Sequence, residues 1–324
     1  MNCALCGAGR ACPLQAAPQF HSREDGMPRG TDGILNINKP QGLTSHDVVA
    51  AVRRMSQSTH VGHAGTLDPM ATGVLLVCMG QATRVVEYLT DHDKKYQARV
   101  RLGVETDTYD ATGRVIAEQA ATGSAMTLDQ VEEALQTLAG KITQIPPAYS
   151  AIKQNGVPMY KLARRGIPVE AEARQVEIYS ITLTEFSPPD VGIEVHCSKG
   201  TYIRSLAHDL GAKLGCGAHL TALTRTAVGQ FNLSDSATLE ELRDAFLSGY
   251  LGRFLNPLDE ALLAFEAILL EPEAARRIRQ GNSIACGQSR STSLVRAYSA
   301  DGQLVALLEH GDSPDVWKPK KVFF

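Results

Sequence analysis

No stretch of the 324-residue sequence approaches the ~18 consecutive apolar residues of a membrane span. No basic-then-apolar segment of the kind that directs secretion opens it, so a cytosolic address with no membrane contact is expected. A large excess of positive charge is also missing. The 32 Lys+Arg and 35 Asp+Glu leave a formal net charge of −3, which excludes a histone-like polycation. A complete set of paired cysteines is missing as well, since Cys3 and Cys6 form a lone Cys-x2-Cys pair. Of seven cysteines, Cys78, Cys197, Cys216 and Cys286 stand singly among apolar or small residues, as free thiols of a reducing compartment do. Cys3, Cys6 and Cys12 crowd the first residues, with His21 after them. They lack the second Cys-x2-Cys pair that a zinc site needs, so no metal is expected. Met27 offers an alternative start, and residues 1–30 are an unassigned extension.

Several reaction classes lose their signatures in the same way. There is no G-x-G-x-x-G after a strand, no G-x-x-x-x-G-K-[ST], no H-E-x-x-H and no G-x-S-x-G, which argues against dinucleotide redox, nucleotide hydrolysis, zinc proteolysis and serine hydrolysis. Ser150-Ala151-Ile152-Lys153 matches the S-x-x-K of penicillin-recognising enzymes, but its S-D-N and K-T-G partners are absent, and acyl-serine chemistry is set aside.

What is present reads as mixed helix and strand. Ile34–Asn38 predicts a strand stopped by Lys39-Pro40, and Thr44 or Ser45 can cap a helix with Val48, Val49, Val52 and Met55 on one face. A polar loop is predicted over Ser56–Pro69 and a buried strand over Gly73–Cys78; Ala82–Leu89 reads as helical. Tyr96, Ala98, Val100 and Leu102 alternate with polar residues, as in a half-buried strand. Thr127 opens a capping box, with Gly140 closing that helix. Strands are predicted over Val176–Phe186 and Val191–Cys197 around Pro188-Pro189, a helix over Thr201–Leu214, and another after the capping box Thr238–Glu241. Leu294–Tyr298 and Leu304–Leu308 flank Asp301-Gly302, a hairpin signal. The elements do not alternate strictly, so an α+β fold with a mixed, largely antiparallel sheet is expected. The expected domains are residues 31–257, with an excursion over about 144–175, and a small β-rich domain over 258–324.

Charge is segregated along the chain. Lys141–Gln175 carries six bases and two acids, net +4, and Glu271–Phe324 is net +2; a basic segment in an acidic protein suits a local polyanion contact. The loop Gly62-His63-Ala64-Gly65-Thr66-Leu67-Asp68-Pro69-Met70-Ala71-Thr72-Gly73 surrounds one His and one Asp with turn residues, just before a buried strand. That setting suits a carboxylate that must be presented accurately.

This loop resembles the catalytic motif of the TruB-type pseudouridine synthases. Lys39-Pro40-x-Gly42, Lys95-Tyr96 with Leu102-Gly103 and Thr106-Asp107-Thr108-x-Asp110, Gly200-Thr201-Tyr202-Ile203-Arg204-Ser205-Leu206 and Leu223-Thr224-Arg225-Thr226 resemble the family's other motifs, in order. Ile145-Pro146-Pro147-x-Tyr149-Ser150-Ala151-x-Lys153 resembles its inserted thumb. The resemblance implies a pseudouridine synthase fold with a PUA-like RNA-binding tail, and isomerisation of one uridine in the T loop of tRNA, at position 55, without cofactor or metal. It implies that Asp68 is the essential carboxylate, that Tyr96 and Leu223 pack on the uracil, and that Arg204 pairs with Asp68 and holds it in place; the field of an ionised Arg204 is then expected to keep Asp68 deprotonated. It also implies that Tyr202 supports the pocket, that His63 contacts RNA beside the displaced base, and that Lys39 braces the site. The thumb bases Lys153, Lys161, Arg164 and Arg165 are then expected on RNA phosphates. The expected partner is the tRNA T stem-loop, with no protein partner and a monomeric state. Two alternatives are an RNA-binding or RNA-folding protein with little catalysis, and a synthase acting on another RNA.

Overall fold

The computed structural model describes residues 31–324 apart from 120, 121, 123, 151, 155, 160, 161, 163, 164, 166, 168, 170, 286–293, 312, 314 and 324. Cys3, Cys6, Cys12, His21, Cys286, Lys161 and Arg164 therefore lie outside the described residues. Cys78, Cys197 and Cys216 are buried free thiols.

The chain divides into two compact units, Gly30–Leu263 and Ala264–Phe324. The first begins with β1 (Gly33–Lys39), α1 (Ser45–Ser56), β2 (Val61–Ala64), β3 (Thr72–Met79), a 3₁₀ turn (Gly80–Val85) and α2 (Val86–Asp91). β4 (Lys94–Leu102), the small hairpin β5 (Val104–Thr106) and β6 (Val115–Glu118), α3 (Leu128–Gln136) and β7 (Gly140–Gln144) follow. Then come the short pair β8 (Lys153–Gln154) and β9 (Val157–Pro158), β10 (Arg174–Ser187), β11 (Asp190–Cys197), α4 (Ile203–Leu214), β12 (Ala218–Val228), β13 (Phe231–Asn232), α5 (Leu239–Ser248) and β14 (Leu255–Asn256). Among the described residues these build a ten-stranded mixed sheet in the order β14-β1-β3-β12-β4-β11-β10-β7, with β13 on β12 and β2 on β3. Its pairings are antiparallel except β3 with β12.

Local chemistry explains most of these elements. Thr44 caps α1 in a reciprocal capping box with Asp47, Thr127 does the same with Gln130 for α3, and Thr238 with Glu241 for α5; each box satisfies backbone N–H groups that the first helical turn leaves open. Val48, Val49 and Val52 fall on one face of α1 and are buried. β4 alternates strictly, with Lys94, Tyr96, Ala98, Val100 and Leu102 buried and the residues between them exposed, the period of a strand with one covered face.

Four readings of the sequence are corrected. The supposed loop Ser56–Pro69 contains β2, which pairs His63 with Val77; its four residues are too short to show a period. Gly140 opens β7 and does not close α3, which ends at Gln136. Ala82–Leu89 is split between a 3₁₀ turn and a short α-helix. β12 was not anticipated, although it lies at the centre of the sheet. Bulges between Leu220 and Ala222 and between Arg225 and Ala227 break its period-2 pattern.

The unit Ala264–Phe324 contains β15 (Glu266–Leu269), α6 (Pro272–Arg279), β16 (Ile284–Ala285), β17 (Val295–Tyr298), β18 (Leu304–His310) and β19 (Val316–Val322). Its five-stranded sheet runs β15-β17-β18-β19-β16. β17 and β18 pair antiparallel around Asp301-Gly302, as expected. Trp317, Ile278, Val305 and Leu308 lie at the centre of its own apolar core.

Candidate active site

The sheet brings together residues that are far apart in sequence. Tyr96 on β4 is the cross-strand partner of Arg225 on β12, and β12 lies beside the start of β3, with Gly73 opposite Arg225. Gly73 has φ +98°, and a Cβ there would come within 2.2 Å of the Arg225 carbonyl oxygen. Only glycine fits so close a backbone approach. The loop that carries Asp68 enters β3 through this contact.

A cavity of about 260 Å³ opens at this junction, lined by Asp68, Tyr96, Tyr202, Arg204 and Leu223, together with Lys94, Ser150, Arg174, Arg225 and backbone from the Gly65 and Gly200 segments. Asp68 meets Arg204, with Nε 2.9 Å from Oδ2 and Nη2 3.3 Å from Oδ1. The Arg204 side chain is 4 % exposed and the Asp68 side chain 35 %, so the carboxylate faces the cavity and the arginine backs it. Arg204 also donates to the carbonyls of Thr108 at 3.2 Å and Tyr149 at 2.9 Å, and lies 3.5 Å from Asp110 Oδ2. Asp110 is held by the Thr108 hydroxyl and by the N–H and hydroxyl of Thr112. Between the two acceptors that face Arg204, Tyr109 takes φ +62°. A left-handed non-glycine residue costs about 1–3 kcal/mol, and here it turns both the Thr108 carbonyl and the Asp110 carboxylate toward one guanidinium.

Burial pushes the Asp68 carboxyl above its ordinary value, Arg204 opposes this, and Asp110 adds to it. The pull of Arg204 is in the expected direction, and burial works against it, because the same fold that supplies the cation also removes water. Burial likewise raises the Tyr96 phenol, against the pull of the neighbouring Arg225.

Tyr202 precedes α4, and its backbone is clamped at two points. Its N–H donates to Gln144 Oε1 at 2.7 Å, and its carbonyl accepts from Gln144 Nε2 at 3.0 Å. Lys39 is fully buried and donates to the carbonyls of Pro40 at 2.9 Å and Leu43 at 2.7 Å, with Pro69 at 3.5 Å. Burial lowers its pKa to about 8. Lys39 ties down the loop after Asp68 without lining the cavity. His63 does not line it either. It sits on β2, edge-on to His46 at 5.4 Å, and burial lowers its pKa to about 4, which leaves the imidazole neutral near pH 7. In the thumb, Lys153 begins β8 and Arg165 is exposed.

Arg225 was quoted in a motif but given no task. Its side chain is buried and donates to the carbonyls of Val74 at 2.7 Å and Gly65 at 3.0 Å, with Thr66 at 3.5 Å. Asp110, Gln144, Lys94 and Arg174 also belong to the site; in the sequence Asp110 lies in one of the family motifs and Gln144 and Arg174 in the basic segment, while Lys94 carries no such signal. Among the described residues no three His, Cys, Asp or Glu side chains are grouped to hold a metal ion, and no helix is long and apolar enough to cross a membrane.

The cavity thus holds a carboxylate–arginine pair, Asp68 with Arg204, beside an aromatic and an aliphatic side chain, Tyr96 and Leu223. Residues 53–203 match the TruB family pseudouridylate synthase N-terminal domain, and residues 204–263 match the tRNA pseudouridylate synthase B C-terminal domain. The chain is 44% identical over 292 residues to tRNA pseudouridine synthase B of Dehalococcoides mccartyi, covering 90% of this chain and 96% of that one. It is 40% identical over 284 residues to the Haemophilus influenzae protein of the same name, covering 86% and 90%. The chain belongs to the TruB family of pseudouridine synthases. Its fold is also similar to that in a Cbf5-Nop10-Gar1 complex, with a TM-score of 0.69, 28% identity, and coverage of 90% of this chain and 85% of that chain.

Proposed function

We propose that this enzyme converts uridine to pseudouridine in the T loop of tRNA, at position 55, with Asp68 as the essential carboxylate and no cofactor. The observation that carries the reading is Asp68 itself, exposed to a cavity on one side and held by a buried arginine on the other. The reaction breaks N1–C1′ and forms C5–C1′; C5 loses its proton and N1 gains one. Atoms and electrons balance without an external group. A carboxylate serves by attacking C1′ or by taking a proton from C2′. In either case the uridine must leave its stack, which costs a few kcal/mol. Contacts from Tyr96 and Leu223, both 7 % exposed beside the cavity, offset that cost. The names of the relatives support tRNA as the substrate. The basic thumb supports a phosphate contact, and we assign the unit Ala264–Phe324 to RNA binding as a PUA-like module. The enzyme acts as a monomer in this reading.

The test is turnover on unmodified tRNA transcripts with chemical mapping of pseudouridine, using the wild-type enzyme and Asp68→Asn. The wild type forms pseudouridine at position 55. The variant folds and binds tRNA but forms none, because the amide keeps the shape and loses the charge. Product at another position, or turnover by a folded Asp68→Asn protein, overturns the reading.

A further inference from the structure

The cations around the cavity differ in how their donors are used. Arg204 is spent on Asp68 and two carbonyls. Arg225 is spent on the Val74 and Gly65 carbonyls, and Lys94 on the carbonyls of Thr90 and His92. Arg174 is different. It stands at the head of β10, opposite Gln144 on β7, with its guanidinium over the Tyr202 ring, 4.5 Å from the centroid. Its Nε and Nη2 are buried and have no hydrogen-bond partner among the described residues. These two nitrogens form the side of a guanidinium that grips two oxygens of one anion.

Burying a donor without an acceptor is costly, and a group in that state calls for an explanation. Charge gives one. Among the described residues that line the cavity, Asp68 is the one carboxylate, against Lys94, Arg174, Arg204 and Arg225, and it is already paired. The unmet demand is for a second anion. Uracil and ribose are neutral, so the anionic part of a uridine nucleotide is its phosphodiester.

We propose that Arg174 is a phosphate-binding subsite of the cavity, gripping a phosphodiester of the target nucleotide so that the pocket accepts a nucleotide, not a bare nucleoside. The proposal rests on the reading of the protein as an RNA pseudouridine synthase. The subsite positions the substrate and takes no part in bond making.

The test measures the dissociation constant for a T stem-loop RNA as a function of salt, with kcat and KM, for the full-length wild type, Arg174→Met and Arg174→Lys. Thermal unfolding checks that each is folded. A lost charge-assisted grip weakens binding roughly 10- to 100-fold in Arg174→Met, and a lost phosphate contact lowers the slope of log affinity against log salt by about 0.7–0.9. Arg174→Lys keeps the slope, because it keeps the charge, but binds less tightly, because it lacks the fork. If Arg174 only props Tyr202, kcat falls while slope and affinity stay at the wild-type values, and the subsite is refuted. Unfolding of Arg174→Met leaves Arg174→Lys to decide: wild-type affinity in that variant rules out a guanidinium grip. The binding arm is independent of turnover. A wild type that makes no pseudouridine yet shows the slope change overturns the function and leaves the anion subsite standing.

Discussion

Replacing Arg225 with methionine separates the integrity of the sheet from the placement of Asp68. Methionine has a comparable apolar stem and no donors. The carbonyls of Val74 and Gly65, now bonded at 2.7 and 3.0 Å, would be left without that partner, at about 1–3 kcal/mol each. Part of this is recovered, because a buried charge without a carboxylate partner among its hydrogen bonds no longer has to be kept from water. A net loss of roughly 2–4 kcal/mol follows, which for a unit of this size lowers the melting temperature by about 5–15 °C. The effect on turnover is larger. Gly65 lies three residues before Asp68, and with its anchor gone the loop shifts; a displacement near 1 Å at a reacting group costs about 100-fold. Arg225→Lys retains the charge and can reach one carbonyl, so it recovers part of the stability and little of the rate. The assay is thermal unfolding by circular dichroism beside kcat and KM on tRNA, all below the melting point of each variant. If stability falls as stated while kcat per folded molecule stays within about threefold of wild type, Arg225 supports the sheet alone and the argument about the loop is wrong.

Three further outcomes are expected. In the proposed reaction Asp68 acts ionised, and burial raises its pKa, so kcat/KM falls as pH drops through a value above the ordinary 3.8; an acid limb at or below 3.8 in the pH–rate profile contradicts this. Gly73→Ala places a Cβ 2.2 Å from the Arg225 carbonyl oxygen at φ +98°, so it lowers thermal stability by at least about 2 kcal/mol and activity with it; an unfolding curve matching wild type removes Gly73 from the argument. Neutralising Lys161, Arg164 and Arg165 together weakens tRNA binding and flattens its salt dependence by up to about one unit per contact, with the single-turnover rate on bound RNA changed less; an unchanged slope makes the segment a solvated loop.

The sequence by itself determined the parts of this protein that depend on neighbours in the chain. The capping residues Thr44, Thr127 and Thr238 were legible because a cap is a contact over three residues. β4 was legible because one covered face writes an alternation into Tyr96, Ala98, Val100 and Leu102. The Asp301-Gly302 turn placed β17 and β18 in the same way. The Asp68 loop stood out because turn residues crowd one carboxylate.

Tertiary structure alone decided which distant groups meet. β12 was invisible because its two bulges spoil the alternation and because a buried Arg225 reads as a surface residue. That arginine is tolerable inside only because Gly65 and Val74 turn their carbonyls toward it, from segments some 150 residues away. The two-point hold of Gln144 on Tyr202, the Asp110 carboxylate on the far side of Arg204 and the idle donors of Arg174 are of the same kind. A polar side chain carries no sign of its partner in its own sequence window. Burial decides whether that partner is required, and burial exists only once the sheet has closed over it.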